Sequence, residues 1–111
     1  MPDIYQAIIC DTTISDRKQI IINAICKAKN VEFKDINTKD RGVFKVYARH
    51  LIMFFLLENG FSSTESALVF NRDHATAIHS RKTINNLCDT DKSIRFEVNK
   101  LRMMIESYLK R

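Results

Sequence analysis

Seven consecutive residues, Leu51-Ile52-Met53-Phe54-Phe55-Leu56-Leu57, constrain this chain more than any other stretch. Wound into a helix they are apolar on every side, which a surface position would waste on water, so the segment must run through the centre of the fold. Seven residues fall far short of the about 20 needed to cross a bilayer, and no membrane span is expected. At 111 residues the chain has room for one domain with a single core. Two glycines and one proline, against 45% hydrophobic residues, leave few places for the tight turns of a sheet. The expected class is all-α: a compact bundle of about six helices around a long apolar central helix, Val43 to Leu57.

The remaining elements follow from periodicity and capping. Residues 1–15 are expected as an N-terminal extension packed on or flanking a domain over 16–111. Within that extension Ile4, Tyr5, Ala7, Ile8 and Ile9 suit either a short helix or a strand, and the flanking Asp3 and Asp11 argue against a secretory leader. Thr13 with Asp16 offers a capping-box-like start to a helix. Its stripe is Ile21, Ile25 and Ala28, with Ala24 beside them, and Asn30 stops it. Val31 to Ile36 then makes a short helical turn that buries Val31, Phe33 and Ile36.

Beyond the central helix, Gly60 can take the left-handed conformation common just past a helix end. Ser62 and Glu65 form a capping box opening a helix over 64–70, with Leu68, Val69 and Phe70 burying its end. Asn71-Arg72 makes a turn and Asp73 caps the next helix, since its short acceptor side chain reaches backbone N–H groups that lack partners. On that helix Ala77, Ile84 and Cys88 share one face, with Ile78 at its edge and Arg81 turned towards the buried side. Ala75, His79, Lys82, Thr83 and Asn86 share the opposite face. A last helix starts near Thr90 or Asp91 and aligns Ile94, Val98, Leu101, Ile105 and Leu109. Arg95, Lys100, Arg102, Lys110 and Arg111 surround that stripe, and Met103, Met104 and Tyr108 are expected to complete the core rather than form an exposed patch.

Two short helices joined at Asn71-Arg72 suggest a helix-turn-helix, whose second helix has the small apolar face and polar, cationic face that major-groove readout requires. Net charge of +5 favours a polyanionic partner, although charge alone does not separate nucleic acid from a membrane surface. Cys10, Cys26 and Cys88 have no paired spacing, so they are expected as reduced cytoplasmic thiols packed like small hydrophobes.

The run Phe70-Asn71-Arg72-Asp73-His74-Ala75-Thr76-Ala77-Ile78-His79 resembles the signature of the C-terminal DNA-binding domain of the DnaA replication-initiator family. That pattern runs aromatic, glycine, Arg-Asp-His, Ser or Thr, Thr, two aliphatics, His, and the resemblance extends over about residues 16 to 110. Asn71 stands where the family commonly has glycine, and Asn is the best non-glycine residue for a positive φ. Ala75 stands where the family usually has Ser or Thr, leaving a methyl that can touch thymine but no hydroxyl.

The resemblance implies binding of double-stranded DNA, linked to replication initiation or its regulation. Asp73, His74 and Ala75 would face base edges, and Thr76, His79, Lys82 and Arg72 would lie near the backbone. Arg41, in the polar connector over 37–42, falls about where a family arginine enters the minor groove. Arg49 and His50 fall about where the family has Arg-Gln on the DNA backbone, although Arg49 could also snorkel from a core helix to water.

Catalysis finds little support. The only glycines are Gly42 and Gly60, so there is no phosphate-binding loop and the ATPase portion of full initiators is absent from this sequence. His74 and His79 lie about 140° apart around a helix, too divergent to share a metal. No cofactor is expected. The competing expectation is a helical adaptor that kept the fold, lost DNA recognition and binds a protein through its last helix or first fifteen residues. A third is a regulator that competes with a full-length initiator at its sites.

Overall fold

The computed structural model describes residues 13–39 and 41–110, and all regular structure among them is helical. Six helices follow in order: α1 Thr13–Ala28, α2 Phe33–Ile36, α3 Val43–Glu58, α4 Ser63–Leu68, α5 His74–Thr90 and α6 Lys92–Leu109. The packing expected of residues 1 to 12, the side-chain cap expected at Thr13 and Asp16, and Arg111 lie outside what is described. No helix among the described residues is long and apolar enough to cross a membrane.

Helix α3 is the centre, as the apolar run requires. Leu51 to Leu56 are all buried, and α3 packs against α1, α2, α4 and α5. α6 closes the bundle against α1 and α5, burying Val98, Leu101 and Ile105, with Ile94 and Leu109 packed at the ends of the same stripe. Three polar ties fix the outer helices. The Arg102 guanidinium makes two 2.8 Å bonds to the Glu58 carboxylate at the end of α3. Glu97 on α6 accepts from Lys29 Nζ at the end of α1 (2.8 Å) and from the Tyr47 hydroxyl on α3 (2.6 Å). Burial alone would raise the Glu97 carboxyl, but those two donors hold it below the usual carboxylate range, while burial and the Glu97 charge push the Tyr47 phenol well up.

Several expected placements change. Ala28 is exposed, and Ile22 and Cys26 join Ile21, Ala24 and Ile25 in the core, so the buried stripe of α1 is wider at Ile22 and ends sooner. Leu68 is 59% exposed because α4 stops there. The chain then turns so that Phe70 stacks on Phe33, with ring centroids 5.4 Å apart, and buries the element's end in place of Leu68. Arg81 is exposed rather than turned inward, because the buried face of α5 is centred on Ala77, Ser80 and Ile84 and Arg81 lies about 70° beyond that centre. Met104 and Tyr108 pack on the core as expected, but Met103 is 72% exposed on the side of α6 opposite the stripe. Cys26 and Cys88 are free thiols, and burial raises both.

Candidate nucleic-acid interface

The helix pair α4–α5 is built from local signals. Ser62 accepts from the Glu65 backbone N–H while the Glu65 carboxylate accepts from the Ser62 N–H, each at 3.1 Å, completing the expected capping box. The chain leaves α4 through Asn71 at φ 55°, so the left-handed position falls on the residue anticipated for it. Arg72 N–H returns to the Ala67 carbonyl at 3.0 Å and closes the turn. Asp73 then caps α5, accepting from Thr76 N–H and from the Thr76 hydroxyl, each at 3.2 Å. This is a helix-turn-helix. The first turn of its second helix, with His74 and Ala75, stands exposed.

Five of the anticipated contact residues line one cleft of about 610 Å³: Arg41 from the connector, Arg49 and His50 from α3, Arg72 from the turn and Thr76 from α5. Lys39 and Asn37 join them, which the sequence did not single out although Lys39 is a cation in the same polar connector. Asp73, His74, Ala75, His79 and Lys82 do not line the cleft and sit on the exposed face of α5. His79 meets the cleft through His50, their rings edge to face with centroids 5.9 Å apart.

The placements constrain the chemistry of each group. Arg49 lines the cleft but does not snorkel to water. It is 7% exposed, and its Nη1 donates to the carbonyls of Ile36 (2.9 Å) and Thr38 (3.3 Å), tying the end of α2 and the start of the connector to the core helix. Arg72 Nη2 reaches the same Thr38 carbonyl at 3.4 Å. Arg41 is exposed on that connector. Thr76 gives its one hydroxyl proton to Asp73, so a phosphate contact from Oγ1 requires that rotor to turn. His50 is half-buried, with Nδ1 2.7 Å from the Ser80 hydroxyl. Burial first, then the neighbouring His79 and Arg49, hold its imidazole below the usual histidine value. Ser80 was missed because a lone small hydroxyl between Ala77 and Ile84 carries no sequence signal of its own. Among the described residues no group of three or more His, Cys, Asp or Glu is placed to hold a metal ion.

The fold and this surface define a helix-turn-helix protein. The family model for the bacterial dnaA protein helix-turn-helix matches residues 19–84, and the chain belongs to that family. The chain is similar to the chromosomal replication initiator protein DnaA of Bacteroides fragilis, 33% identical over 102 residues that cover 87% of this chain and 21% of that protein. The Bacteroides thetaiotaomicron protein of the same name is 33% identical over 111 residues (94% and 23%), and that of Caldanaerobacter subterraneus 26% over 91 residues (81% and 20%). The chain therefore spans about a fifth of the length of these curated relatives.

Proposed function

We propose that this chain binds duplex DNA with a sequence preference, placing the first turn of α5 in the major groove and the connector bearing Arg41 against the adjacent minor groove. The observation that carries this is the convergence of Arg41, His50, Arg72 and Thr76, from four separate segments, on one cleft beside the exposed turn at His74. Asp73, His74 and Ala75 face base edges, with the Asp73 carboxylate shared with the cap it makes. Arg72, Thr76, His79 and Lys82 reach phosphates, His50 does so from α3, and Arg49 acts one step back by holding the connector. The module has no catalysis of its own and serves replication initiation or its regulation, including competition with a full-length initiator.

A titration at two salt concentrations tests this, using a duplex carrying the family's type of box and a scrambled one. With about four to six phosphates engaged, log K should fall with log salt at a slope of about −4 to −5, and the box should bind more tightly. A slope near zero removes duplex binding from consideration. The adaptor alternative draws support from one feature: Phe96 and Met103, 70% and 72% exposed, lie two turns apart on the outer side of α6. Protein binding through that strip, with no salt slope on any duplex, is the outcome that would favour it.

A further inference from the structure

Two serines of the described chain are fully buried, and they satisfy themselves in different ways. Ser66 donates to the Ser62 carbonyl one turn back on its own helix, at 2.8 Å, a common local solution for a hydroxyl in a helix. Ser80 instead reaches out of α5 to α3, where its Oγ lies 2.7 Å from His50 Nδ1 and 3.9 Å from Met53 Sδ. A hydroxyl has one proton to give. Of these two neighbours the imidazole nitrogen is the stronger acceptor and much the closer, so an unprotonated Nδ1 takes that proton in preference to Met53 Sδ. The ring proton then sits on Nε2.

We propose that Ser80 is a positioning residue for DNA binding: by donating to Nδ1 it holds His50 in the Nε2–H tautomer, the one that can donate to a phosphate. The proposal rests on the duplex-binding reading above. A phosphate oxygen only accepts, so a neutral His50 with its proton on Nδ1 would present a lone pair to another lone pair. The same hydroxyl also serves the protonated ring. It can rotate to accept from Nδ1–H and turn its own proton towards Met53 Sδ, which leaves Nε2–H in place. Both donor-competent states of His50 are thus supported by one side chain, and burial first, then the neighbouring His79 ring and Arg49 guanidinium, bias the ring towards the neutral one.

Imidazole nitrogen NMR of the free protein reads the tautomer, and duplex titrations read its consequence. Wild-type His50 is expected as a single Nε2–H tautomer, with Ser80→Ala admitting the Nδ1–H form. Ser80→Ala should weaken the box and the scrambled duplex alike, by about three- to tenfold, the worth of one neutral hydrogen bond. In a His50→Ala background it should change affinity less than about twofold, because nothing is left to position. Met53→Leu, which alters the same packing but keeps the hydroxyl, should leave the tautomer of the neutral ring as it was. An Nδ1–H tautomer in the wild type overturns the assignment, and so does a Ser80→Ala loss that persists without His50. Failure of the wild type to bind any duplex defeats the duplex-binding reading itself, a result distinct from unchanged binding by Ser80→Ala.

Discussion

The two parts of the candidate interface are held by different means. The first turn of α5 is set by its neighbours in sequence: Asn71 makes the left-handed step, Asp73 caps, and Ala77, Ser80 and Ile84 anchor the helix one to three turns on. The described connector residues, Asn37, Thr38, Lys39 and Arg41, are tied instead at Thr38 to partners distant in sequence. The connector follows a single helical turn, and Arg49 eleven residues ahead and Arg72 thirty-four ahead both donate to the Thr38 carbonyl. One part of the surface carries its own instructions and the other borrows them from the core helix and the turn. Damage should therefore spread differently from the two.

The sharpest way to break the contrast is Arg49→Met. It removes a buried charged donor from the Ile36 and Thr38 carbonyls, and unfolding in urea should show a loss of about 2–4 kcal/mol. The connector would lose its place with it, so Arg41→Ala, which should weaken duplex binding in the wild type if Arg41 enters the minor groove, should have little further effect in this variant. If Arg49→Met is as stable as the wild type, the connector is held by something other than these bonds. His74→Ala probes the opposite part. An exposed side chain on a self-sufficient helix end should cost less than about 0.5 kcal/mol of stability. On the preferred duplex it should cost about 1–3 kcal/mol of binding, with much less lost on a scrambled one. Equal losses on both duplexes would mean that His74 touches only backbone. The smallest effect is expected from Asn71→Gly, which relieves a non-glycine residue at φ 55° but loosens the unfolded chain, for a net gain of about 0.5 kcal/mol or less by urea midpoint. A clear destabilisation would show that the Asn71 side chain supports the turn beyond its backbone angle.

The same division explains what could be read from the sequence. Caps and turns are short-range chemistry, and Ser62 with Glu65, Gly60, Asn71 and Asp73 all occupy the roles their residue types announced. The central position of α3 followed from an apolar run that has no other use. Partners that are main-chain carbonyls leave no trace in residue identity, so Arg49 reads in the sequence as a cation for water or phosphate, whereas its Nη1 donates to Ile36 and Thr38. Helical wheels also mislead where an element is short or its buried face narrow. Leu68 on a two-turn helix and Arg81 just beyond the Ala77–Ser80–Ile84 face were both assigned inward and both stand in water. Met103 was assigned to a core that Met104 and Tyr108 already fill.

Asp91 is the only residue between α5 and α6. Its N–H closes the last turn of α5 on the Leu87 carbonyl at 2.8 Å, and its carboxylate takes the first free N–H groups of α6, from Ser93 and Ile94. A joint that short has no slack, and α6 is clamped beyond it by Arg102 to Glu58 and by Glu97 to Lys29 and Tyr47. The angle at which α5 leaves the body is consequently not an adjustable quantity. A designer wishing to redirect this module to a different target should leave the joint alone and exchange the outward-facing side chains at Ala75, Ile78, His79 and Lys82, because swivelling the helix would mean rebuilding half of the bundle.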